Sequence, residues 1–225
     1  MTPGAGTPDP AALAARVSEV RRRIDDAAGR GRGQAVEVVA VTKTFSASAV
    51  AGVVEAGVTH VGENRAQELL EKAGSLEGGP GEPEEWHFVG AIQRNKVGKL
   101  ARWVSTWHSV DRAEVGESIA RAASGARVYV QVNLGAEPQK GGCGPAEAPQ
   151  LVERLRGLGL DVVGLMTVPP VHDDPRPHFA ALAALAADAG VTGLSMGMSG
   201  DFEVAVEEGA TVVRLGSILF GARPR

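Results

Sequence analysis

The sequence holds a single cysteine, Cys143. No intramolecular disulfide framework is available to it, and a reducing compartment, the cytoplasm, is the expected location. Cys143 lies in Gly141-Gly142-Cys143-Gly144 with no histidine near it in sequence. It reads as an incidental exposed thiol in a flexible loop, not as a nucleophile. No apolar run approaches the roughly 18 residues of a membrane span, so no membrane association is expected. The first ten residues are rich in Gly, Pro and Thr and lack a charged segment followed by an apolar one. They predict a disordered lead over residues 1–9 and no secretory signal. Neither sign of charge dominates, with 23 Lys and Arg against 27 Asp and Glu. A nucleic-acid partner would need a basic face, and Arg21-Arg22-Arg23 reads as a solvated helix face instead. No G-x-G-x-x-G follows the first strand, which argues against an open dinucleotide-binding sheet. Helix lengths vary and no fixed motif recurs, which excludes a short solenoid repeat.

What is present is an alternation. Leu13, Val17, Val20 and Ile24 recur at helical spacing over residues 10–28. About eight strand–helix units follow. The strands are expected to end near Lys43, Val61, Gly90, Val110, Leu134, Met166, Ser195 and Leu215. Pro169, Pro170, Pro175 and Pro177 predict a stiff turn before an alanine-rich helix over residues 179–189. Ser199-Gly200-Asp201 is expected to open a further helix, with Ser199 as a candidate N-cap. The fold class is therefore α/β, a single (β/α)8 TIM barrel with an additional N-terminal helix, spanning residues 10–225 as one domain.

The organising stretch is Val38-Val39-Ala40-Val41-Thr42-Lys43. A run of β-branched and small apolar residues reads as a strand buried on both faces. A lysine at its end is carried toward a dry interior, where desolvation favours the neutral amine that attacks carbonyls to form a Schiff base. The other strand ends carry Asn64, Ser109 with Asp111, Asn133, Thr167, Ser195 and Arg214, as expected where barrel sites cluster. After the last two strands, Ser195-Met196-Gly197-Met198-Ser199-Gly200 and Arg214-Leu215-Gly216-Ser217 combine glycines, serine hydroxyls and helix starts, the makings of a phosphate cradle. Barrel closure puts the first and eighth strands side by side. A small aldehyde phosphate would span lysine and cradle, and pyridoxal 5′-phosphate fits. Arg214 would then meet the pyridine nitrogen and keep it unprotonated, weakening the ring as an electron sink.

These residues resemble a known family, the pyridoxal phosphate homeostasis proteins, also described as alanine racemase N-terminal-domain-like. The resemblance is carried by Ala40-Val41-Thr42-Lys43-Thr44, Val61-Gly62-Glu63-Asn64-Arg65 and Trp86-His87-Phe88-Val89-Gly90 with Gln93-Arg94-Asn95-Lys96. It continues through His108-Ser109-Val110-Asp111-Arg112, Val130-Gln131-Val132-Asn133 with Glu137 and Lys140, Gly164-Leu165-Met166-Thr167, and the two cradle segments. It implies pyridoxal 5′-phosphate on Lys43, with Asn64, Met196, Ser199, Arg214, Gly216 and Ser217 as further cofactor-binding residues. It also implies a role in vitamin B6 and amino-acid homeostasis with no established catalytic activity, and apo forms of pyridoxal-phosphate enzymes as partners of a monomer or weak dimer. The chain departs from that pattern at Gly90-Ala91-Ile92-Gln93, at His60 and at Val168-Pro169-Pro170, near the rim.

Racemisation needs proton donors on both faces of the substrate α-carbon. Related racemases bring a tyrosine from a second domain, whereas this chain's one tyrosine, Tyr129, falls inside a predicted strand and reads as packing. A carrier is therefore expected over a weak racemase. A cofactor-free aldolase using Lys43 with Asp111 is the third reading. The five histidines show no metal spacing on a helix. His60, His87 and His108 lie on predicted strands, yet nothing else supplies ligands, and no metal site is expected.

Overall fold

The computed structural model describes residues 9–135, 137 and 141–221. Residues 1–8 of the expected lead over 1–9, and Lys140, lie outside the described residues, while Asp9 is ordered as the N-cap of α1. Helix α1 (Pro10–Arg30) precedes β1 (Glu37–Val41), α2 (Ala47–Glu55), β2 (His60–Glu63), α3 (Ala66–Leu76), β3 (Glu85–Phe88), α4 (Arg94–Leu100) and β4 (Val104–Val110). Then come α5 (Ala113–Ala122), β5 (Arg127–Gln131), α6 (Ala148–Gly157), β6 (Asp161–Met166), α7 (Pro175–Asp188), β7 (Gly193–Ser195), α8 (Phe202–Glu207), β8 (Val212–Leu215) and α9 (Ser217–Phe220). The eight strands close in sequence order into a parallel barrel, with β8 pairing back onto β1 in the register Val39 to Arg214.

Helix α1 forms because its apolar residues share one stripe and its start is well capped. Pro10 occupies the first helical position, and Asp9 accepts from the Ala12 amide at 3.2 Å. Leu13, Val17, Val20, Ile24 and Ala27 are buried. Each large member stabilises the packing by about 1.5–3 kcal/mol. The helix lies on α8, where Arg23 sits over the Phe202 ring at 4.8 Å and pairs with Glu203. Arg16 donates to the Leu219 carbonyl in α9 at 3.0 Å. The extra helix thus braces the two elements that follow β7 and β8.

Two sequence expectations are corrected. Pro175 and Pro177 do not precede α7 but occupy its first turn. Proline lacks only a donor that the first turn does not use, and the Asp174 carboxylate accepts from the Arg176 amide at 3.1 Å. Cys143 is buried, not exposed, because its segment bridges alongside Val132 with Cys143 N–H donating to Gln131 O at 2.9 Å. Burial pushes its thiol up to about 11, so it is no thiolate nucleophile at neutral pH.

The large apolar core lies between barrel and helices. Inside the barrel the apolar cluster is small: Val39, Tyr129, Met166 and Val212. The rest of that interior holds buried polar residues, His87, His108, Ser195 and Arg214 among them. This departs from the layered branched aliphatics that fill most such barrels.

Candidate functional site

A cavity of about 430 Å³ opens at the C-terminal mouth of the barrel. Lys43, Asn64, Ser199, Arg214, Gly216 and Ser217 all line it. Six of the seven candidate site residues named from the sequence therefore meet in one place. Met196 does not. It is fully buried in the shell between barrel and helices, and its amide donates to Val212 O at 3.1 Å. Ser195 points into the barrel, so by strand alternation Met196 points away; the chain then turns at Gly197, where φ is 91°, and Met198 beyond the turn lines the cavity.

Lys43 sits two residues past the end of β1, half-buried, in a turn. Its neighbour Thr44 has φ of 70°, the only positive φ outside glycine among the described residues. A β-branched residue held there costs of order 1–3 kcal/mol. The hold is visible on both sides of the lysine. Thr44 N–H donates to Glu68 Oε2 at 2.8 Å. On the other side, Lys72 Nζ donates to Thr42 O at 2.8 Å and to Glu63 Oε1 at 2.5 Å, and Thr42 Oγ1 donates to the same oxygen at 2.6 Å. Glu63 is fully buried, and that burial raises its carboxyl above the usual range against the pull of Lys72. Lys72 bridges onward to Glu68 at 3.6 Å. Sequence reasoning assigned Glu63, Glu68 and Lys72 no role. The signal was a lysine on the apolar face of α3, between Leu69 and Ala73.

Across the cavity, Asn64 Oδ1 is buried with no hydrogen-bond partner among the described residues. Gly90 backs onto the same residue so closely that a Cβ there would stand 2.0 Å from Asn64 O. Arg214 is buried. Its Nη1 donates to Ser195 Oγ at 2.6 Å and its Nη2 to Thr167 O at 2.9 Å. No carboxylate bridges it among the described residues, and burial lowers it to about 10, still protonated at neutral pH.

The two loops after β7 and β8 are stitched together by Ser199. Its Oγ accepts from the amides of Gly216 and Ile218, each at 3.2 Å. The N-cap reading of Ser199 is corrected: α8 begins at Phe202, its N-cap residue is Asp201, and Asp201 Oδ1 accepts from Met198 N–H at 2.6 Å. The loop needs glycine at Gly197, where φ is 91° and a Cβ would stand 2.7 Å from Ala205 Cβ. Asp111 lies outside this cavity and pairs with Arg112 at 2.6 Å. Asn133 is likewise taken up locally, donating to Glu137 O at 2.9 Å.

Behind Arg214 runs a chain of hydrogen bonds that sequence reasoning did not assemble. His108 Nδ1 meets Ser195 Oγ at 2.8 Å, His87 Nδ1 meets His108 Nε2 at 2.8 Å, and His60 Nδ1 meets His87 Nε2 at 3.1 Å. Burial lowers His87 to about 3 and His108 well below the usual imidazole range, so both are neutral. Tyr129 stacks on His108, with centroids 4.7 Å apart. Burial, then the Glu37 charge, pushes its phenol up to about 12.

Comparison with known proteins places this architecture. The family model described as alanine racemase, N-terminal domain, matches residues 9–224. The pyridoxal phosphate homeostasis protein of Aquifex aeolicus is 39% identical over 224 residues, covering 92% of this chain and 97% of that protein. The protein of the same name from Deinococcus radiodurans is 42% identical over 206 residues, covering 88% and 95%. Among solved structures, PipY of Synechococcus elongatus with pyridoxal phosphate bound superposes with a TM-score of 0.82. It is 32% identical, over 93% of this chain and all of that one.

Proposed function

This chain belongs to the pyridoxal phosphate homeostasis proteins, within the alanine racemase N-terminal-domain family, and from that premise we propose that its C-terminal mouth holds pyridoxal 5′-phosphate as a Schiff base on Lys43. The carrying observation is the cavity itself, which gathers an amine, a carboxamide oxygen without a partner among the described residues, a buried cation and a two-loop cradle. These groups fit the cofactor's aldehyde, ring and phosphate. Lys43 supplies the amine, steadied by the Thr42 and Thr44 backbone that Glu63, Lys72 and Glu68 hold. The backbone and hydroxyls of Ser199, Gly216 and Ser217 serve the phosphate. Arg214 donates toward the ring nitrogen and, as a cation, has no proton acceptor to offer it.

When bound, the cofactor supplies an electron sink for carbanions α to an amine, and Arg214 weakens that sink. The proposed role is accordingly custody of the cofactor, with vitamin B6 and amino-acid homeostasis as its consequence in the cytoplasm and apo pyridoxal-phosphate enzymes as recipients. Efficient two-base racemisation is disfavoured by this chain's own acids. Tyr129 is locked in the barrel interior with a phenol near 12, and Asp111 lies outside the cavity.

The test is an absorbance spectrum of the purified full chain, then borohydride reduction and peptide mass mapping. A reduced pyridoxyl phosphate on Lys43 is the expected product. Absence of colour, uptake and modification would overturn the assignment and revive the cofactor-free aldolase. Transfer of cofactor to an apo-enzyme without measurable alanine racemisation separates carrier from weak racemase.

A further inference from the structure

At the opposite end of the barrel, Glu37, His60 and Glu85, the first residues of β1, β2 and β3, meet His87, two residues further along β3. Lys43 lies six residues beyond Glu37, about 20 Å along the strand by strand rise. The register pairs His60 with Glu85 and Gly62 with His87. Glycine opposite His87 leaves the imidazole room to lie inside the barrel. His60 Nδ1 stands 3.1 Å from His87 Nε2 and 3.3 Å from Glu37 Oε2. Glu85 Oε2 stands 3.5 Å from His87 Nε2 and 4.0 Å from His60 Nδ1. Glu37 Oε1 is 3.9 Å from His87 Nε2.

We propose that this mouth is a binding site for a divalent transition-metal ion of the zinc class, ligated by Glu37, His60 Nδ1 and His87 Nε2, with Glu85 closing the set. Ligand atoms of Glu37, His60 and His87 all fall within 4.8 Å of one another. A tetrahedron drawn at zinc–ligand distances of about 2.0–2.1 Å has edges of about 3.3–3.4 Å. The observed separations bracket that value, so small side-chain movements complete the geometry. Two imidazole nitrogens this close cannot both present lone pairs. Without a cation one of them carries a proton between them, and a metal there takes that proton's place: an imidazolium releases it to solvent, and a neutral imidazole regains one on its other nitrogen.

The supporting shell is also in place. The other nitrogen of His87 faces His108, the arrangement that orients metal-bound imidazoles. Arg127 Nη1 holds both oxygens of Glu85, at 3.0 and 3.1 Å. His87 is buried, whereas His60, Glu37 and Glu85 are partly exposed and leave an entry path. Two carboxylates against one guanidinium give the mouth the net negative charge that a dication needs.

The test titrates the chelator-treated full chain with Co2+ and then Zn2+. One Co2+ per chain, with the intense visible absorption of a tetrahedral nitrogen–oxygen site and displacement by Zn2+, is expected. His60→Gln and Glu37→Gln each weaken binding by more than the roughly 10- to 100-fold that a supporting residue costs. Glu37→Gln is isosteric and partly exposed, so it remains informative should the histidine variant misfold. Lys43→Ala binds Co2+ like the parent, which keeps this result separate from the cofactor reading. A weak octahedral spectrum, or binding that neither variant alters, overturns the proposal. The cluster would then be a protonated His60 held on Glu37.

Discussion

The two mouths of this barrel are built by different means. The C-terminal mouth sets its side chains on specially shaped backbone: a strained turn at Thr44, a loop that needs Gly197, and amides gathered by one serine hydroxyl. The N-terminal mouth is built from side chains, with Glu37, His60, His87, Glu85 and Arg127 reaching inward from four strands. Between them, neutral imidazoles and one tyrosine fill a space that is usually aliphatic. Backbone sites come from contiguous segments and survive modest changes in neighbouring packing. Side-chain sites exist only if strand register is right, because a shift of one residue turns every member outward.

The comparison can be broken most sharply at Lys43. Lys43→Ala abolishes the covalent cofactor linkage outright, read as loss of the borohydride-trapped peptide, and leaves the N-terminal mouth unchanged. A variant that still yields a trapped cofactor on another lysine would show that the backbone turn does not select the amine.

The next largest effect belongs to the clamp beside that turn. Lys72→Met leaves Glu63 buried and uncompensated, and costs about 3–5 kcal/mol in urea unfolding. Adding Glu63→Gln recovers much of it, since the stranded charge is removed. Loss of stability without loss of Schiff-base formation would mean that the clamp supports the fold and not the placement of Lys43.

Tyr129 reports on the dry interior between the mouths. It is the only tyrosine, so an ultraviolet titration reads it alone. Its phenol titrates near 12 in the folded chain. An unfolded tyrosine titrates near 10, so from about pH 10 the unfolded state releases the proton more readily. Stability contributed by the neutral phenol is full below that pH and falls by about 3 kcal/mol as pH rises through 12. Tyr129→Phe flattens this alkaline dependence. Titration near 10 would mean that water enters the barrel.

The smallest effect is at the cradle. Ser199→Ala leaves the Gly216 and Ile218 amides without their acceptor, at a cost of about 1–3 kcal/mol. Cofactor affinity falls as the two loops separate, measured by equilibrium binding. Unchanged affinity would show that the loops hold their geometry without the serine.

Legibility followed the same division. Periodicity located each helix and strand, because local sequence carries the spacing of buried residues. Six cavity residues were legible because strand ends in a parallel barrel converge on one face. Met196 was expected at the cavity, but alternation from Ser195 turns it outward, and Met198, of the same parity, reaches the cavity only because the chain leaves the extended strand at Gly197. Cys143 looked exposed because a glycine-rich run conceals a bridge to Val132 that only the folded β5 segment supplies. Lys72 escaped notice because its partners Glu63 and Thr42 lie on other elements.

By itself the sequence determined the alternation, the closed barrel, the lysine past β1 and the cradle after β7 and β8. Each of these is written in neighbouring residues, where hydrogen-bond geometry and hydrophobic spacing act locally. Tertiary structure alone decided that His60, His87 and His108 line up behind Arg214, and that Glu37 and Glu85 close around the first two. The three hydrogen bonds of the histidine chain join residues 21 to 87 positions apart. Such contacts depend on register and on the room left inside the barrel, and no local pattern encodes either.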